Sequence, residues 1–101
     1  MKKDNYKTDV VFRKYSDKSI IALFPHNVND YYGNVESYQH IGQHSGADYG
    51  GILMCTKLAS KEEYSDLKKE LEDIGYNLRI IEKQNRNKFI ESLTTLRNKT
   101  K

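Results

Sequence analysis

Between Ser37 and Gly51 the chain reads Ser-Tyr-Gln-His-Ile-Gly-Gln-His-Ser-Gly-Ala-Asp-Tyr-Gly-Gly, so side chains that donate, accept or carry protons alternate with glycines. Two of the three histidines and four of the six glycines fall here, the densest collection of site-forming residue types in the sequence. Glycine lets a backbone come close to a ligand, and successive backbone amides can cup an anion. Gln39, His40, Gln43, His44, Ser45 and Asp48 offer donors and acceptors that suit a small polar molecule such as a nucleotide. Tyr38 and Tyr49 can stack on a ring or support one, as can Tyr31 and Tyr32. Gly42 and Gly46 complete a candidate ligand-binding set of Tyr38, Gln39, His40, Gly42, Gln43, His44, Ser45, Gly46, Asp48 and Tyr49. Histidine would make such a site sensitive to pH near neutrality.

Other chemistries fit the spacing less well. His40 and His44 are four apart, which pairs imidazoles on a helix, but Gly42 and Gly46 argue against a helix. On an extended segment they would stand about 13 Å apart, with His26 or Asp48 as a third ligand, and no His-Glu-x-x-His or paired-cysteine motif is present. His44, Ser45 and Asp48 include the residue types of a hydrolytic triad, yet residues so close in sequence rarely converge in the order nucleophile, base, carboxylate. Ser45 directly precedes Gly46 and so misses the nucleophile-elbow pattern. Cys55 with a histidine can form a thiolate pair, but a lone cysteine in an apolar strand reads as core. Neither a Walker loop nor a dinucleotide fingerprint occurs. No catalytic residue, metal or cofactor is assigned, and the expected activity is binding without chemistry.

The elements that must position these residues are legible in hydropathy. Residues 1–8 are polar and read as a flexible N-terminus. Val10–Tyr15 and Ser19–Phe24, separated by Ser16-Asp17-Lys18, predict a β-hairpin whose second strand ends at Pro25. His26 to Asn34 reads as a loop, and Val35–Ile41 alternates as a third strand. The glycines predict irregular backbone from Gln43 to Gly51, followed by a short strand at Ile52–Thr56 that buries Met54 or Cys55. Ser60-Lys61-Glu62-Glu63 is a capping box that starts a helix with Tyr64, Leu67, Leu71 and Ile74 on one face and Gly75 as its stop. Tyr76–Glu82 predicts a last strand, and Phe89, Ile90, Leu93 and Leu96 a second amphipathic helix.

At 101 residues, 37% of them apolar, the chain suits a single α+β domain. The expected architecture is an antiparallel or mixed sheet of four to five strands, one capped helix packed on it and a C-terminal amphipathic helix. The domain is placed at residues 9–83, with 84–101 as a basic helix or tail. Net charge is +3, and six cations against Glu91 lie between Lys83 and Lys101. That segment can engage nucleic acid or an acidic partner, although the near-neutral body and the missing RNP1 and GXXG patterns weigh against a dedicated nucleic-acid binder. One cysteine and no signal-like or membrane-length apolar run predict a soluble cytoplasmic protein.

Val11–Lys14, Ile20–Pro25, Ser37–Asp48, Glu63–Lys68 and Ile74–Ile80 together resemble a group of small uncharacterised proteins from bacteria, phages and mobile elements that share the Ser-Tyr-Gln-His-Ile-Gly-Gln-His-Ser-Gly-Ala-Asp segment. The resemblance spans roughly Thr8 to Lys83 and implies a compact domain with no particular substrate. Proteins of that size and company often act by binding a host protein or a signalling nucleotide. The expected partners are therefore a small polar molecule or, alternatively, a host protein, with nucleic acid third, no membrane, and a homodimer through the last helix as a plausible assembly.

Overall fold

Two adjacent strands with apolar residues at consecutive positions need cover on both faces, and that requirement organises the molecule. In the computed structural model, which describes residues 7–30, 32–39 and 43–99, with the backbone alone at 43–45 and 99, β1 (Thr8–Tyr15) and β2 (Ile20–Val28) form the predicted hairpin. Strands β3 (Val35–Gln39) and β4 (Gln43–Ala47) extend the sheet antiparallel from β2. On the other side, the single edge of β1 is shared. β5 (Thr56–Leu58) runs antiparallel beside Arg13–Tyr15, and β6 (Leu78–Ile80) runs parallel beside Thr8–Val10. The sheet is thus mixed and six-stranded, in the order β4-β3-β2-β1 with β5 and β6 end to end.

Alternation along the strands feeds two cores. On one face Val10, Phe12, Ala22, Phe24 and Tyr38 pack under helix α2 (Lys61–Ile74) with Leu67 and Leu71. Phe12 stacks on Tyr64 at 4.4 Å and Phe24 on Tyr76 at 5.2 Å between ring centroids. On the opposite face Val11, Ile21, Leu23, Val35, Ala47 and Tyr49 are covered by α1 (Tyr49–Met54) and by Phe89 of α3 (Arg86–Lys99). Full burial of each such aliphatic or phenyl side chain contributes about 1.5–3 kcal/mol.

Helix α2 carries both of its sequence signals. The Ser60 hydroxyl accepts from the Glu63 amide and the Glu63 carboxylate accepts from the Ser60 amide, a cap that contributes about 1 kcal/mol. Gly75 closes the helix at φ +127°, with its amide and that of Tyr76 donating to Leu71 O. The hairpin is less ordinary. Tyr15 and Ser19 close a three-residue loop whose last residue, Lys18, sits at φ +74°. This is the left-handed position that glycine occupies in such loops, and a lysine there costs about 1–2 kcal/mol.

Four expectations are corrected. The segment Gln43–Gly51 is regular: β4 pairs along its length with β3, from Gln39↔Gln43 to Val35↔Ala47, and α1 follows. Ladder hydrogen bonds outweigh the weak strand propensity of glycine, and at Gly46 the absent side chain makes room for Asn29, whose Oδ1 would lie 2.8 Å from a Cβ. Ile52–Thr56 is no strand, because Ile52–Met54 close α1 and β5 begins at Thr56. Met54 is 89% exposed and Cys55 is exposed, so neither enters the core. Finally, β2 does not stop at Pro25 but runs to Val28 across a register shift between Phe24 and Val28. A proline is tolerated where a bulge already interrupts the ladder.

Candidate functional site

Tyr38 and Tyr49, at the two ends of the candidate segment, lie on opposite faces of the sheet. Tyr38 lies in the core beneath α2, 1% exposed, and its hydroxyl hydrogen-bonds the Glu70 carboxylate. Tyr49 lies in the opposite core, where burial pushes its pKa up and its hydroxyl accepts from the Gln84 amide at 3.0 Å. The two tyrosines therefore cannot hold one ligand. Both are partly used as structure.

Asp48 precedes α1 as its N-cap residue without a side-chain cap bond, is exposed, and lies against Gly51, whose Cβ would come 2.8 Å from Asp48 Oδ2. Gly46 backs onto Asn29. The backbone of Gln43, His44 and Ser45 forms β4, opposite Gln39, Tyr38 and Ser37 respectively. His40 and Gly42 lie outside the described residues, as do Tyr31 and Ile41.

Among the described residues of the set, Gln39 opens onto a groove. The space, about 600 Å³, lies between α2 and the ends of β2 and β3, where Ser19, Ile20 and Gln39 face Glu63, Asp66, Leu67 and Glu70. Positions 63, 66, 67 and 70 follow the spacing that puts residues on one side of a helix. The wall contributed by α2 is therefore three carboxylates around one leucine, with Ile20 opposite.

Those carboxylates differ in occupation. Glu63 is engaged by the Lys14 ammonium and by the Ser60 backbone, which together hold its pKa below the ordinary carboxylate range. Glu70 receives the Tyr38 hydroxyl, tying the groove wall to the core. Asp66 has no hydrogen-bond or ion-pair partner among the described residues and is exposed. From sequence Glu63 is read only as the capping-box partner of Ser60, and Asp66 and Glu70 are given no role. The signal that would have found them is their i, i+3, i+7 recurrence around Leu67, which leaves one acidic stripe beside the apolar one.

A second cluster was not foreseen. The Asp9 carboxylate, 8% exposed, receives His26 Nδ1 at 2.8 Å, Arg79 Nε at 2.6 Å and Lys88 Nζ at 3.4 Å. Burial pulls the Asp9 pKa up, but the hydrogen bonds from Arg79 and His26 and the charges of Lys88 and Arg79 outweigh it and leave the value below 3.8. His26 Nε2 accepts the Asn85 amide at 2.7 Å, so the ring is the neutral tautomer with its proton on Nδ1. His26, weighed above as a metal ligand, has both nitrogens committed to joining β1, β2 and the start of α3. The Ser92 hydroxyl adds a bond from the Val28 amide to the same helix at 3.2 Å.

No helix among the described residues is long and apolar enough to cross a membrane. No family model, curated protein or solved structure matches this chain.

Proposed function

We propose that this protein is a small, non-enzymatic binding protein of the cytoplasm that seats a polar ligand bearing a positive charge in the groove beside Gln39. The supporting observation is the groove itself: three carboxylates, one of them without a partner among the described residues, set around the apolar Ile20 and Leu67. An ammonium or guanidinium on an aliphatic stem matches that surface, since the stem covers the apolar residues while the head meets Asp66. A nucleotide matches it poorly, because its phosphates would face like charge at close range. The exposed thiol of Cys55 suits a reducing compartment.

Because the groove is open to solvent, a lysine or arginine side chain of a protein partner fits as well as a free amine, and this is the second reading. The nucleic-acid reading loses one of its cations, since Lys88 already pairs with Asp9.

Titration of the ¹⁵N-labelled protein with 1,4-diaminobutane should move the amides of Ser19, Gln39 and Asp66 along saturable curves. A charge-assisted hydrogen bond contributes about 1.5–3 kcal/mol, so Asp66→Asn should weaken binding about tenfold or more. Adenosine monophosphate should leave these amides unmoved. Equal binding by wild type and Asp66→Asn, or saturation of the groove by the nucleotide in place of the diamine, would remove the proposal.

A further inference from the structure

Where β5 meets the turn end of the β1–β2 hairpin, a recess of about 500 Å³ has the opposite charge. Lys14, Lys18 and Lys57 line it with Tyr15, Met54 and Thr56, and no carboxylate contributes to the lining. Lys14 and Lys57 stand directly opposite each other in the β1–β5 register, where like charges repel. Glu63 offsets the first of them. Lys18 and Lys57 have no ion-pair partner among the described residues.

Beneath the recess Arg13 adds a further positive charge that is spent on neutral acceptors. Its guanidinium donates to Thr56 Oγ1 at 3.0 Å, Thr56 O at 2.7 Å and Leu53 O at 3.3 Å. These bonds fix the wall at Thr56 and keep the cation close. The nearest anion on the hairpin, Asp17, is turned to the Ser19 amide and hydroxyl at 3.0 and 2.7 Å. Lys18 itself occupies the left-handed loop position that glycine would fill without strain.

We propose that this recess is an oxyanion-binding site that takes a phosphate or carboxylate group between Lys18 and Lys57, with the exposed Met54 meeting an apolar portion of the ligand. The site adjoins the acidic groove through the Lys14–Glu63 pair but takes its anion on Lys18 and Lys57, which do not line the groove, and so stands whether or not that groove binds a cation. Two ammonium groups and a local excess of positive charge supply the attraction.

The test is a titration with sodium phosphate at constant ionic strength, followed by amide shifts, with sodium acetate in parallel. Saturable shifts confined to Lys18 and Cys55–Lys57 are expected, and the tighter of the two anions identifies the group. Lys57→Gln and Lys18→Gly should each weaken binding about fivefold, whereas Lys69→Gln, an equal loss of charge on exposed α2, should leave it unchanged. Glycine suits the loop at residue 18, so weaker binding by that variant cannot be assigned to unfolding. Absence of saturation by both anions, wild-type affinity in either recess variant, or an equal loss in Lys69→Gln overturns the site.

Discussion

Phe24→Ala is expected to destabilise the protein by about 3–5 kcal/mol. The ring is fully buried at the centre of β2, stacked on Tyr76 and within the core that α2 covers. Truncation removes apolar area and leaves a cavity that neighbours on a paired strand cannot collapse to fill. Against a total stability of about 5–15 kcal/mol for a domain of this size, the variant should be largely unfolded in modest urea, while Phe24→Leu should lose less than about 2 kcal/mol. Equilibrium urea unfolding followed by far-UV circular dichroism measures both. A loss under about 1.5 kcal/mol for the alanine variant would mean that α2 is not packed on this face as described.

The second large effect lies at Asp9. Asp9→Asn keeps the shape but removes the charge shared by His26, Arg79 and Lys88, and should cost about 2–3 kcal/mol at neutral pH. Its pH dependence has a definite sign. The folded-state pKa lies below the ordinary 3.8, so the carboxylate's contribution is complete above that value and disappears as pH falls through the lower folded-state value. The gap between wild type and Asp9→Asn should therefore be widest near neutrality and close in strong acid. Urea midpoints of both proteins across that range decide it. A gap that stays constant into acid would show that the carboxylate's charge is not what holds the cluster.

Most of the fold was legible where local and tertiary preferences agree. Val10–Tyr15 and Ile20–Phe24 have both the residue types and the turn of a hairpin, and Ser60, Glu63 and Gly75 bracket α2 at the positions where the capping bonds form. The stretch after Gln39 was misread because glycine content was allowed to decide. Helix α1 contains Gly50 and Gly51 and is short, and it is held by Tyr49, Ile52 and Leu53 packing on the sheet, information no local window contains. The Asp9 cluster was invisible for a similar reason, since its partners are 17, 70 and 79 residues away in sequence. Of the candidate binding residues, the segment's polarity pointed to the neighbourhood through Gln39, but the groove's charge comes from α2, where helical spacing had already been spent on finding the core.

The arrangement around β1 also bears on how the chain acquires its structure. The Thr8 amide bonds Asn77 O and the Ile81 amide bonds Val10 O, so the N-terminal half of β1 is completed by residues about seventy positions later in the sequence. Closing so long a loop is entropically slow compared with zipping the adjacent hairpin. During synthesis that half of the strand must wait, edge bare, until residues 77–81 have left the ribosome. Pulse-labelled hydrogen exchange during refolding should accordingly protect Ile81 later than the β1–β2 amides, and simultaneous protection would refute this order of assembly.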